Sequence, residues 1–270
     1  MELDGLNKYI NPADPEGTLK KCTCGNTYHQ IQIHDLELID PGKCQECIKK
    51  TIENEKQDII NRVNTALTDK ELDRYKPYSV FPPGCEDATF DNYEPQNETQ
   101  AKALEKAKEF VENIDVNSSK SLMFQGTPGI GKSHLSMAIH KALRDKHIPS
   151  LVIDSPSLFQ TLKSYFGYSD SSSSQERLMK MLFHADVLIL DDIGAEYVKE
   201  NNGNETWASD ILYQIMNARQ TKVNVFSTNY KSADLKQKYG SLSSRIISRM
   251  LAGAEVIKIE GQDQRMRGFE

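Results

Sequence analysis

The run Gly126-Thr127-Pro128-Gly129-Ile130-Gly131-Lys132-Ser133 fits the pattern G-x-x-x-x-G-K-[ST] at every fixed position. That spacing suits phosphate. The glycines permit a loop whose backbone N–H groups turn inward around phosphate oxygens. A helix starting near Lys132 adds its positive dipole end. Lys132 would reach the β- and γ-phosphates of a nucleotide, Ser133 would ligate Mg2+, and His134 completes the contact stretch. A chance glycine-rich turn is the bland alternative. The context disfavours it, because an apolar strand precedes the loop and a helix follows.

ATP held in this way also needs an acid for the metal and a group for the attacking water. Val187-Leu188-Ile189-Leu190 reads as a buried strand, and Asp191-Asp192 follows it. Asp191 would hold the Mg2+ water shell with Ser133, and Asp192 would orient or deprotonate water. Asp is an ordinary turn residue after a strand, but paired acids downstream of a complete phosphate loop favour catalysis. Val225-Phe226-Ser227-Thr228-Asn229 ends another strand on a polar residue. In a parallel sheet Asn229 would lie beside the two acids, within reach of the γ-phosphate or the water. Alone, an Asn there is common turn chemistry.

A second chemistry sits near the N-terminus. Four of the five cysteines form two short pairs, Cys22-x-Cys24 and Cys44-x-x-Cys47. Tetrahedral Zn2+ takes about four sulfur or nitrogen ligands at ~2.0–2.3 Å, and clustered cysteines in a reducing compartment more often bind metal than form disulfides. The first pair is tighter than usual, so one member could be idle, with His29 or His34 as fourth ligand. The alternative is a set of reduced surface thiols. So small a module would need its metal to fold. A closed four-ligand site leaves no position for water, which points to partner binding rather than catalysis. Cys85 reads as an incidental linker thiol.

The elements that must position these groups divide into three stretches: a zinc-binding, partly helical N-terminal domain over 1–76, a Pro- and Gly-rich linker over 77–97, and a nucleotide-binding domain over 98–270. Ile52, Ile59, Ile60, Val63 and Leu67 predict a helix over 51–75. Beyond 98, helices over 99–113, 133–146, 157–166, 175–184, 207–219 and 242–250 alternate with strands over 121–124, 150–154, 187–190 and 223–227. The serine run 169–174 reads as a surface loop. Alternation of this kind implies an α/β fold, a mainly parallel sheet with helices on both faces. No apolar run approaches the ~20 residues of a membrane span. The N-terminus lacks a signal-peptide pattern, so a cytoplasmic location is expected. A net charge of −6 argues against nonspecific coating of duplex DNA but not against a local basic groove.

In this order the phosphate loop, the paired acids and Asn229 resemble the AAA+ P-loop NTPases. In finer detail, over roughly 88–267, they resemble the DnaC/DnaI helicase loaders and the related IstB transposition ATPases. Leu188-Ile189-Leu190-Asp191-Asp192-Ile193-Gly194-Ala195 is similar to the Walker B region of that group, and Ser227-Thr228-Asn229 to its sensor 1. Arg245-x-x-x-Arg249 resembles its arginine-finger helix. That implies self-association, with Arg249 acting on a neighbour's nucleotide. Gln264-Arg265-Met266-Arg267 resembles the sensor 2 segment, with Arg265 on the nucleotide. Leu162-Lys163-Ser164-Tyr165-Phe166 resembles an L-K-x-x-F helix that lines a single-stranded DNA channel. Lys163 would pair with phosphate and Phe166 would stack on a base. Without the resemblance, these arginines would read as a solvated helix face and Phe166 as packing. Many AAA+ proteins carry Asp-Glu where this chain has Asp191-Asp192, so hydrolysis is expected to be slow.

DnaI-type loaders carry an N-terminal zinc module of mixed Cys and His ligands. The resemblance therefore implies an ATPase that loads a hexameric replicative helicase onto single-stranded DNA, gripping it through the N-terminal domain. The alternative it implies is an IstB-like helper that oligomerises on DNA and recruits a transposase.

Overall fold

The computed structural model describes residues 19–29, 42–165, 171–197 and 207–264. The chain divides into two compact units, Met1–Leu67 and Thr68–Glu270.

In the first unit a hairpin pairs β1 (Leu19–Lys21) with β2 (Thr27–His29), Lys20 facing Tyr28. Its turn is closed by Cys22 N–H on the Asn26 carbonyl at 2.7 Å and by Gly25 N–H on the Cys22 carbonyl at 2.9 Å. Helix α1 runs Gln45–Asp73, beginning well before the expected residue 51. Its first turn carries polar residues where the apolar periodicity gives no sign, and Ile48 N–H bonds the Cys44 carbonyl there at 3.0 Å.

The second unit is built on a five-stranded parallel sheet of order β4-β5-β6-β3-β7, comprising β3 (Ser121–Gln125), β4 (Ser150–Asp154), β5 (Val187–Asp191), β6 (Val223–Thr228) and β7 (Ala254–Lys258). Period-2 alternation sends side chains to opposite faces. Leu151, Ile153, Leu188, Leu190 and Phe226 pack under α4 (Ser155–Ser164), α5 (Ser171–His184), α6 (Trp207–Ala218), α7 (Ser232–Tyr239) and α8 (Ser243–Leu251). Val152, Val187, Ile189, Val223 and Val225 pack under α2 (Glu98–Glu112) and α3 (Lys132–Asp145). The expected layout, a parallel sheet with helices on both faces, is therefore present. Among the described residues no helix is long and apolar enough to cross a membrane.

Several elements differ from the sequence expectation. Residues 171–174 of the serine run are the first turn of α5, not a loop; residues 169 and 170 lie outside the described residues. Serine is tolerated in a first helical turn because its backbone N–H groups need no intrahelical partner. Helix α4 starts at Ser155 because Asp154 caps it, accepting from Ser157 N–H at 2.8 Å.

The stretch 77–97 lies on the second unit. Val80 N–H bonds the Val152 carbonyl on edge strand β4 at 2.8 Å, and Ala88 and Tyr93 are buried.

Arg219 is 1% exposed and ties the unit's interior. Its guanidinium donates to the carbonyls of Leu182 (2.9 Å), Ala185 (2.8 Å) and Val223 (2.8 Å) and to the Asn224 side chain. Burial lowers its pKa to about 10.

Candidate nucleotide and metal sites

The phosphate loop joins β3 to α3. Gly131, the N-cap of α3, has φ +93°, a left-handed conformation that favours glycine. A Cβ there would meet the Tyr93 ring at 2.6 Å, so the loop needs glycine for space as well. Tyr93 is held down by its hydroxyl on the Ile130 carbonyl and by edge-on packing against His134, ring centroids 5.2 Å apart. Burial pushes the Tyr93 phenol up to about 12. The His134 Nε2 lies 2.9 Å from the Thr89 carbonyl, which ties α3 to the 77–97 stretch. Lys132 arches back over the loop, its ammonium donating to the Thr127 carbonyl at 2.7 Å.

Asp191 closes β5 and is 1% exposed. It accepts hydroxyl hydrogen bonds from Ser133 (2.5 Å), Ser227 (2.5 Å) and Ser136 (3.3 Å). Burial raises its pKa, which the Ser133 and Ser227 hydroxyls partly oppose. Asp192 has φ +53°, an unusual backbone for a non-glycine residue. Its N–H donates to Ser227 Oγ at 2.9 Å, and its carboxylate accepts from Asn229 Nδ2 at 2.9 Å. The other Asn229 side-chain atom, Oδ1, is buried and has no hydrogen-bond partner among the described residues.

These groups surround a cavity of ≈ 430 Å³ lined by Pro128, Gly129, Gly131, Lys132, Ser133, His134, Asp192 and Asn229. Pro83, Gly84 and Cys85 form another wall. The volume falls in the range of small-molecule and cofactor pockets, ~300–1,000 Å³. The cationic lysine and the hydroxyl–carboxylate pair fit a Mg2+–triphosphate group, and the orphan Asn229 oxygen is an acceptor for a water beside it. The hydroxyl and carboxylate offer hard oxygen ligands, and Lys132 offers the counter-charge.

The structure brings Lys132, Ser133, Asp191, Asp192 and Asn229 together and leaves Arg249 apart from this cavity. Arg249, on α8, lies over the Tyr213 ring at 4.7 Å and donates to Asn217 Oδ1 at 3.1 Å. Lys163, in the last turn of α4, is exposed and stands 5.6 Å from the Tyr197 ring centroid. Phe166 and Arg265 lie outside the described residues. Sequence reasoning misses Ser136, the hydroxyl role of Ser227, and Glu196. Only Ser136 carried a signal, three residues beyond Ser133 on the same helix face.

At the other site the ligand sulfurs of Cys22, Cys24, Cys44 and Cys47 all lie within 4.8 Å of one another. Tetrahedral Zn–S bonds of ~2.3 Å would set sulfurs ~3.8 Å apart, so the set fits zinc. The tightly spaced pair contributes both members. His34 and the side chain of His29 lie outside the described residues. Backbone N–H groups of Cys24 and Cys44 lower the Cys22 thiol to about 6, while the neighbouring sulfurs push Cys47 up to about 12. Thiols this close cannot all ionise without a cation among them.

The profile of the family described as IstB-like ATP binding protein matches residues 49–269. The replicative helicase loader DnaC of Escherichia coli K12 is 29% identical over 194 residues, covering 72% of this chain and 74% of that protein. A crystal structure of the DnaC helicase loader superposes with a TM-score of 0.56 at 28% identity, covering 66% of this chain and 100% of that one. A crystal structure of DnaI shares the fold with a TM-score of 0.57 at 24% identity, covering 69% of this chain and 95% of that one.

Proposed function

The chain belongs to the IstB-like ATP-binding protein family, and from that premise we propose that it is an ATP-hydrolysing loader that places a hexameric replicative helicase on single-stranded DNA during replication initiation. The observation that carries this reading is a cysteine cluster with zinc-compatible spacing, ahead of a cavity lined by the phosphate loop, Asp192 and Asn229, in a chain similar to DnaC.

In this reading Lys132 takes the β- and γ-phosphates, Ser133 and Asp191 hold Mg2+, and Asp192 and Asn229 orient the attacking water. Arg249 reaches the nucleotide of a neighbouring copy, where a planar, permanently charged guanidinium suits phosphate oxygens. Arg265 approaches the nucleotide of its own chain. The cysteines hold Zn2+ in an N-terminal region that grips the helicase. Lys163 and Phe166 contact the strand. Bound ATP supplies a phosphoanhydride bond whose cleavage resets the assembly.

The family description supports a second reading, an IstB-like helper that oligomerises on DNA and recruits a transposase. One experiment separates the two. The full chain is mixed with the replicative helicase of its source cell, ATP and single-stranded DNA coated with binding protein, and unwinding is followed. Unwinding that requires the chain and an intact Lys132 supports the loader. No helicase complex and no unwinding overturns it in favour of the helper.

A further inference from the structure

The loop that carries the hydrolysis acids does not end at Asp192. Four residues on, Glu196 is 1% exposed and accepts three hydrogen bonds: from Ser155 Oγ at 2.5 Å, Gly194 N–H at 3.0 Å and Tyr239 Oη at 2.7 Å. The Lys238 ammonium sits 4.0 Å from its carboxylate and donates to its backbone carbonyl. A buried carboxylate is costly unless paired and hydrogen-bonded, so this network fixes one loop geometry. It holds the segment between Asp192, with its left-handed backbone, and Tyr197.

The partners of this segment are informative. Ser155 is the first residue of α4, and Lys163 lies in its last turn. Glu196 holds the first, and the adjacent residue, Tyr197, faces the second at 5.6 Å. Two consecutive loop residues therefore grip α4 at both ends. Tyr197 is 75% exposed, an aromatic face in solvent beside a cation. That pairing suits a nucleobase and its phosphate, since bases stack on aromatic rings regardless of sequence.

We infer that Glu196 is a positioning residue that couples strand binding at α4 to the hydrolysis loop, with Tyr197 beside Lys163 as the stacking platform for a base of single-stranded nucleic acid. The inference rests on the strand-contact reading of Lys163. A strand drawn onto Tyr197 and Lys163 shifts the brace that Glu196 makes, and the Ala195 N–H, next to Glu196, donates to the Asp192 carbonyl at 3.0 Å. Coupling of this kind is a difference in free energy between two arrangements, so it appears as a change of rate with strand bound.

The test uses the full chain as wild type, Tyr197→Ala, Tyr197→Phe and Glu196→Gln. Oligo(dT) binding is read by fluorescence anisotropy, and ATP turnover is measured with and without oligo(dT). Tyr197→Ala should weaken oligo(dT) binding about tenfold, while Tyr197→Phe, which keeps the ring, should not. Glu196→Gln should bind ATP and oligo(dT) as the wild type does, while the ratio of its rates with and without oligo(dT) falls to about one. Should Glu196→Gln not fold, Tyr239→Phe removes a single donor to Glu196 and is read in the same way. A wild-type ratio that survives in these variants, or a wild type that binds oligo(dT) without change of rate, overturns the coupling alone. A wild type that does not bind oligo(dT) overturns the strand-contact reading of Lys163 as well.

Discussion

The Ser133 hydroxyl and the Asp191 carboxylate share a 2.5 Å hydrogen bond that bridges the first turn of α3 and the last residue of β5. The two oxygens that would ligate Mg2+ therefore already face each other. Sheet and helix position them, and neither depends on a loop for its place.

Asp191→Asn separates metal binding from stability. The folded pKa of Asp191 is raised, so its contribution to stability is fully present below its ordinary value of 3.8 and is lost as pH rises through the folded value. The charged carboxylate is therefore the form that the fold disfavours. The Asn variant should melt no lower than the wild type in metal-free buffer, while Mg2+-dependent ATP turnover falls at least about a hundredfold. Thermal melts and phosphate release read the two effects separately. A large drop in melting temperature would show that the carboxylate is needed structurally.

Arg219→Ala should be among the most destabilising single changes. It leaves the carbonyls of Leu182, Ala185 and Val223 without the guanidinium that satisfies them. Orphaned buried acceptors cost about 1–3 kcal/mol each and are not additive, so a loss of about 3–5 kcal/mol is expected in urea denaturation. Nucleotide affinity of the remaining folded fraction should be unchanged.

Cys24→Ser should lose zinc, whereas Cys85→Ser should keep it. Cys24 is the informative position because its spacing to Cys22 is tight, yet its sulfur lies 3.5 Å from that of Cys44. Metal analysis of freshly purified, reduced protein checks this directly. Wild-type protein with essentially no zinc would remove the metal from the reading.

Arg249→Ala should bind ATP as a monomer but fail to assemble and turn over. Arg249 rests on Tyr213 and Asn217, away from the cavity of its own chain. Mixing Arg249→Ala with Lys132→Ala should restore part of the ATPase activity, because each variant supplies what the other lacks. No recovery on mixing, together with normal assembly of Arg249→Ala, would place this arginine outside the site.

The phosphate loop, the paired acids and the cysteine pairs are legible in the sequence because each is a local pattern whose spacing is its geometry. The sheet is legible where strands are apolar throughout, as in Val187–Leu190. Strand β7 is not: only Ile257 in it is buried, an edge pattern without clear alternation. Helix α7 is missed because it buries only Leu235 and Tyr239 and owes its start to Asp234, which accepts from Lys231 N–H at 3.0 Å. Glu196 is illegible for a different reason. Its partners Ser155 and Tyr239 lie some forty residues away on either side, and only the folded sheet brings them to one carboxylate.

Residues 77–97 bear on how the protein can be taken apart. Val80 extends the hydrogen bonding of β4, Ala88 and Tyr93 fill the core beside α2 and α3, and Pro83 to Cys85 wall the cavity. A chain trimmed to begin at Glu98 would expose a bare strand edge and an open-sided nucleotide pocket, inviting self-association and rapid loss of ligand. A trimmed chain that retains the native pocket must begin upstream of Tyr75, which is itself buried in the core.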